Sequence, residues 1–373
     1  MIKRQIEERL LKRHETSKAT IVIGPRQVGK TTLIRSFLKD HEFLFLDGDD
    51  PSVRKLLNEI NTTELDRLLK NHSIVFIDEA QRIQNIGLTL KIIIDQFKDI
   101  KVYVSGSSSF ELNHQIKEPL TGRKWEFELL PISWIELENT VGYLESERSL
   151  ETRLIYGMYP DIINNPGDEE EILYELSNSY LFRDLLAFQN IRKPQVLEKL
   201  ARALAYQVGS EVSYNELAQL VGVDKNTIST YIDILEKGYV LFRLPSFSKN
   251  LRNEIKRTQK IYFYDNGTRN ALITDFRATE DRNDIGALWE NFLVSERRKQ
   301  IIYSRKYINS YFWRTTHQQE IDYVETFNEH LNAFEFKWNE KAKTNLKGIR
   351  TFEKAYQTET KVVTRTNFRD FLK

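Results

Sequence analysis

The chain has 373 residues, 40% hydrophobic and 29% charged, with a formal net charge of +1 and no cysteine. This is the balance of a soluble globular protein of two or three domains, at about 150 residues per domain. It excludes a disulfide framework, a thiol nucleophile and a cysteine-ligated metal, and it confines any nucleic-acid surface to a local patch. The opening MIKRQIEERLLKRHE is charged throughout, unlike a secretory leader. No apolar run reaches the roughly 18 residues that span a bilayer, so the expected compartment is the cytoplasm, without a membrane partner.

Apolar residues at 2, 6, 10 and 11 predict a helix over Ile2–His14 that leads into a first strand. Thr20–Thr32 then reads TIVIGPRQVGKTT, in which Gly24, Gly29, Lys30 and Thr31 match G-x-x-x-x-G-K-[ST] between a strand and a helix. In such a loop the backbone N–H groups curl around a phosphate, and the next helix presents its positive dipole end to that charge. The expected nucleotide contacts are Gly24, Pro25, Arg26, Gln27, Val28, Gly29, Lys30, Thr31 and Thr32. Lys30 is expected to reach the β- and γ-phosphates and Thr31 to ligate Mg²⁺.

A short strand at 43–46 (FLFL) ends in the acidic turn Asp47–Pro51, and a helical stretch covers Val53–Lys70. IVFIDEAQ at 74–81 follows: a buried parallel strand that carries Asp78 and Glu79 to its C-terminal end, where open α/β sheets bind ligands. Asp78 is assigned to the Mg²⁺ shell and Glu79 to polarising the attacking water. A helix at Leu88–Phe97, a strand at 102–105 (VYVS) and the turn Gly106–Ser109 follow, with Ser107 a candidate γ-phosphate contact. Arg123 stands before a last strand at Trp125–Leu130; it is a candidate for neutralising transition-state charge, in cis or from a neighbouring subunit, with a surface ion pair as the alternative.

GPRQVGKTT, FIDEAQ, SGSSS and LTGR together resemble a prokaryotic family of AAA+-type ATPases that carry a C-terminal domain of unknown function. YLFRD at 180–184, TYIDILEKGYVLFRLPSFSKN, KIYFYDNGTRNALI and the terminal EID…EFK extend the resemblance over nearly the whole chain. The resemblance implies ATP rather than GTP, and no N-K-x-D guanine signature is visible. Tyr180, Arg183 and Asp184 read as structural.

Segments within Pro131–Gln207 carry helical periodicity, broken at Gly142 and at Gly157–Pro160, and suggest a helical lid over the nucleotide. Ser213–Arg243 reads as a helix-turn-helix: one helix ended by Gly222, and a second opened by Asp224 and ended by Gly238, with a strand and wing after it. Lys225, Asn226, Thr227, Ser229 and Thr230 occupy the start of the second helix, where such motifs read bases. A basic stripe follows, with Arg243, Lys249, Arg252, Lys256, Arg257 and Lys260 against Glu254. It is suited to phosphate contacts.

Ile285–Gln300 is an amphipathic helix bearing Glu290, and strands on either side of Asn328-Glu329-His330 carry Glu320, Asp322, Glu335 and Lys337. Alternate residues of a strand share a face, so Asp322, Glu335 and Lys337 are expected together, with Glu290 approaching from the helix. The order resembles the PD-(D/E)XK nuclease superfamily. That resemblance implies Glu290, Asp322 and Glu335 as Mg²⁺ ligands and Lys337 as the residue that orients water.

The expected fold is α/β and multidomain. It comprises a P-loop AAA+-like parallel sheet (1–140), a helical lid with a winged helix-turn-helix (141–275) and a restriction-endonuclease-like α/β domain (276–373). The expected work is ATP- and Mg²⁺-dependent action on DNA with metal-dependent cleavage, in a chain able to form homo-oligomers. The alternative is an ATP-operated switch that binds a protein partner or regulates transcription without cleaving DNA.

Overall fold

A computed structural model describes residues 2–107, 116, 119–177, 191, 193–248, 259–340 and 346–373. Ser108, Ser109, Tyr180, Arg183, Asp184, Lys249, Arg252, Glu254, Lys256 and Arg257 lie outside the described residues. The chain divides into two compact units, 1–132 with 237–239, and 133–236 with 240–373. Among the described residues no helix is long and apolar enough to cross a membrane.

In the first unit five strands, β1 (Ala19–Ile23), β2 (Leu44–Asp47), β3 (Ile74–Asp78), β4 (Lys101–Gly106) and β5 (Lys124–Glu128), form one sheet in the order β2-β3-β4-β1-β5. Every pairing is parallel. β1 and β3 are buried at every residue, which explains their unbroken β-branched and aromatic runs. The single helix expected over Val53–Lys70 is two, Pro51–Asn58 and Thr62–Leu69. Asn61 forms a capping box with Glu64, and that restarts the backbone. Of the five tryptophans, Trp125 alone belongs to this unit. It is half-buried, with the Arg13 guanidinium 3.8 Å and the Lys18 ammonium 4.6 Å from its ring centre.

The second unit begins with helices Trp134–Val141, Tyr143–Tyr156, Pro160–Asn164 and Glu169–Glu175. Next come helix Pro194–Tyr206, β6 (Glu211–Val212), helices Tyr214–Val221 and Lys225–Lys237, β7 (Leu241–Pro245) and β8 (Gln259–Phe263). The three strands form an antiparallel sheet in the order β6-β8-β7. Leu200, Leu204, Leu217, Ile228, Ile232, Leu235 and Ile261 join helices and sheet in one core. Gly222 ends the first of the paired helices in the left-handed region (φ 79°), and Asp224 accepts the Asn226 and Thr227 N–H groups at 2.9 and 3.0 Å. The left-handed residue after the second helix is Tyr239 (φ 60°) rather than Gly238.

The stretch Asp265–Asn270, part of the family-like pattern, is a buried polar staple. Asp265 accepts the Met158 N–H at 2.6 Å, while Asn266 and Asn270 donate to the Leu154 and Ile155 carbonyls at 3.0 and 2.7 Å. It satisfies the end of helix Tyr143–Tyr156, which is a structural task.

The last part is helix Ile285–Ser304, the antiparallel strands β9 (Asn309–Arg314), β10 (Glu320–Phe327) and β11 (His330–Phe336), helix Leu346–Tyr356 and β12 (Thr360–Val363), which is parallel to β11. Trp134, Trp289 and Trp313 are buried in this second unit, and Trp338 follows β11.

Candidate functional site

The phosphate-type loop joins β1 to helix Lys30–Phe37. Gly24 is required for a close approach: a Cβ there would stand 1.9 Å from the Leu129 carbonyl oxygen. Gly29 (φ 88°) and Gln27 (φ 60°) take the left-handed conformations that curl the loop. Lys30 is buried and donates to the Gly24 and Pro25 carbonyls at 3.1 and 2.7 Å. Arg26 is half-buried, Gln27 and Thr32 are exposed, and Val28 is buried in the loop.

One residue here was not anticipated. Arg4, 4% exposed, donates to the Val28 carbonyl at 2.8 Å and to the Leu130 carbonyl at 2.5 Å. It ties the loop to the segment after β5. The helix expected over Ile2–His14 starts only at Glu7, and within that amphipathic pattern a charged residue reads as solvated, so Arg4 gave no signal.

β4 lies between β1 and β3, so its tip stands between the phosphate loop and the acidic pair. Thr31 Oγ1 donates to Asp78 Oδ2 at 2.7 Å, and Ser105 Oγ donates to the other Asp78 oxygen. Glu79 sits in the left-handed region (φ 45°), a conformation that clusters at functional sites. Gln81 Nε2 donates to Glu79 Oε2 and to Ser107 Oγ, the latter at 2.8 Å, while the Ser107 N–H donates to Gln81 Oε1 at 3.3 Å. Lys30, Thr31, Asp78, Glu79 and Ser107 are thus assembled at one edge of the sheet. Ser105 and Gln81 complete the network; neither was singled out beforehand.

Arg123 is not part of it. Its carbonyl accepts the Ala19 N–H at 3.0 Å, which places it at the start of β1. The five residues of β1, at about 3.3 Å each, separate it from the loop. Its guanidinium pairs with Asp95 at 2.7 Å, the surface ion pair given as the alternative. Arg123 therefore cannot neutralise charge at its own subunit's phosphate loop.

The second candidate centre is the acidic cluster. The β10–β11 register sets Tyr323 opposite Phe334, which makes Asp322 and Glu335 neighbours. The Phe336 N–H donates to Asp322 at 2.7 Å, and Lys337 pairs with Glu335 at 2.9 Å. Glu290 is also near: burial first, then the charges of Glu290 and Glu335, push the Asp322 carboxyl well above the ordinary aspartate range. Yet among the described residues no group of three His, Cys, Asp or Glu side chains is arranged to hold a metal ion. The expectation that Glu290, Asp322 and Glu335 converge as ligands is corrected accordingly.

The basic stripe is also narrower than expected. Arg243 pairs with Glu236 and, at 2.8 Å, with Asp233. Lys260 is 2% exposed and pairs with Glu290 and Glu320 at 3.0 and 2.5 Å. Both serve as internal counter-ions instead of phosphate contacts. On the helix proposed to read bases, Lys225, Asn226 and Thr230 are exposed, and the Thr227 hydroxyl donates back to Asp224 at 2.6 Å.

Residues 16–138 match an AAA domain family, and 147–280 and 285–372 each match a domain of unknown function (DUF8612 and DUF4143). An uncharacterised protein of Mycobacterium tuberculosis is 28% identical, over 87% of this chain and 71% of its own length. An uncharacterised protein of Methanocaldococcus jannaschii is 23% identical, over 95% of this chain and 81% of its own. Among solved structures, the Walker-type ATPase of Pyrococcus abyssi is similar in fold, with a TM-score of 0.50 at 17% identity over 73% of this chain and 96% of that one. Residues 16–138 of the first unit thus carry an AAA-like P-loop domain of α/β fold.

Proposed function

We propose that this P-loop domain hydrolyses ATP with Mg²⁺ and passes the outcome to duplex DNA gripped by residues 194–263. The observation that carries the hydrolytic reading is the Glu79–Gln81–Ser107 chain. It links a carboxylate able to polarise water to the tip of the strand beside the phosphate loop. Such a chain senses the γ-phosphate: a contact at Ser107 re-aims Gln81 and frees Glu79 to take up a water.

Mg²⁺ fits the residues present, since Thr31 and Asp78 already meet through a hydrogen bond that a cation can replace. When bound, the ion would be held by Thr31 and Asp78 and would neutralise charge on the phosphate. Lys30 leaves the Gly24 and Pro25 carbonyls for phosphate oxygens, a charge-assisted contact stronger than the one it gives up.

The DNA reading is supported by the order helix, strand, two helices, antiparallel hairpin, which is that of a winged helix, with Lys225 and Asn226 exposed at the start of the second helix of the pair. The final helix–three strands–helix–strand order is that of a PD-(D/E)XK scaffold, and in this arrangement we assign it no cleavage. The test is ATP turnover in wild type, Lys30→Ala and Glu79→Gln, with fluorescence anisotropy of labelled duplex DNA at several salt concentrations. Undiminished turnover in Lys30→Ala would falsify the hydrolytic assignment. Absence of DNA binding in every nucleotide state would transfer the output to a protein partner.

A further inference from the structure

The acidic cluster of the second unit does not fit a divalent cation, and the reason is Lys260. A divalent ion needs several oxygens converging to about 2.0–2.6 Å from one point. Here each of these carboxylates already gives an oxygen to a protein donor. The Lys260 ammonium, carried on β8, takes Glu290 Oε1 at 3.0 Å and Glu320 Oε1 at 2.5 Å. Tyr262, two residues along β8 and fully buried, donates to the same Glu290 oxygen at 2.5 Å. Asp322 is held by the Phe336 N–H, Glu335 by Lys337, and Arg314 reaches Glu320 at 3.4 Å. One oxygen is left over, and a single oxygen cannot coordinate a divalent ion by itself. Glu335 is 3% exposed, and its Oε2 is buried without a hydrogen-bond partner.

We infer that Lys260 is a built-in cation that keeps divalent metal out of the Glu290–Asp322–Glu335 cluster, so that β8 closes this centre from within the second unit. The physical reason is competition for the same oxygens. A buried ammonium supplies one positive charge and three donors permanently in place. An incoming ion would have to shed its water and expel that ammonium from a pocket where it is desolvated and paired. The inference is independent of the ATPase reading.

The test uses the full chain, free of nucleotide and carrying Thr31→Ala so that the phosphate loop contributes no metal binding. Bound Mn²⁺ is counted from the electron paramagnetic resonance of the free ion, and thermal melts are run with and without Mn²⁺. With Lys260 in place, no Mn²⁺ should bind at the cluster and the melt should not move. Lys260→Met should gain one Mn²⁺ per chain and a melting temperature that rises with Mn²⁺ by mass action. Adding Glu335→Gln should erase both gains. If Lys260→Met folds only with Mn²⁺, that rescue supports the inference; if it does not fold at all, Lys260→Met with Glu320→Gln restores the charge balance and must show the same gain. A folded variant that takes up no Mn²⁺, or a Lys260-containing protein that already binds it in a Glu335-dependent way, overturns the inference.

Discussion

The phosphate loop and the acidic cluster both gather charges that suit a phosphate or a metal, and they treat those charges differently. At the loop, Lys30 rests on main-chain carbonyls and Asp78 on the hydroxyls of Thr31 and Ser105. These partners are neutral, so a charged ligand has something to gain by replacing them. In the cluster, Glu290 and Glu320 rest on Lys260, and Glu335 on Lys337. There charge already meets charge, and little attraction remains for an ion from outside. Two motifs of similar appearance in the chain thus differ by what their side chains lean on while they wait.

The contrast can be broken most directly at Lys30. Lys30→Ala should abolish ATP turnover and nucleotide binding, whereas Glu79→Gln should bind ATP normally and lose about 10²–10⁴-fold in turnover. A steady-state phosphate assay beside a fluorescent-nucleotide titration separates the two. At the other centre, Lys260→Met strands a buried carboxylate and should cost about 3–5 kcal/mol by urea denaturation in metal-free buffer. A loss below experimental error would mean the cluster is wetter than its burial indicates.

Arg4→Ala leaves the Val28 and Leu130 carbonyls without their donor and should cost about 1–3 kcal/mol of stability. ATP affinity should weaken with it, and Arg4→Lys should recover little because one ammonium cannot reproduce the planar fork. The smallest effect is expected at Arg123. Its partner is exposed and solvent-screened, so Arg123→Ala should leave the melt unchanged. Turnover in dilute, monomeric protein should also be unchanged; a drop that appears only at high protein concentration would assign this arginine to a neighbouring subunit.

The loop and the acidic pair were legible because each is a contiguous motif whose chemistry is local. Ser107 was legible as a polar residue at a strand tip. What spacing cannot encode is which strand stands between two others. β4 between β1 and β3 is what brings Ser105 and Ser107 to Asp78 and Gln81. For Arg123 a signal did exist: a residue preceding a strand parallel to β1 must lie at the edge opposite the phosphate loop. Alternation placed Asp322 beside Glu335 correctly, and Phe336 N–H on Asp322 follows from that register. Lys260 was hidden because it arrives from a different sheet, and a lysine in a basic run reads as solvated until its burial is known. Arg4 shares that fate on a smaller scale.

The distribution of tryptophan gives the two units separate optical signatures. Trp125, half-buried under two cations, is the first unit's only indole, while the second holds Trp134, Trp289, Trp313 and Trp338. Trp125→Phe would therefore leave intrinsic fluorescence reporting on the second unit alone. Subtracting its unfolding curve from that of the unaltered chain would resolve whether the ATPase domain melts independently, without attaching any dye.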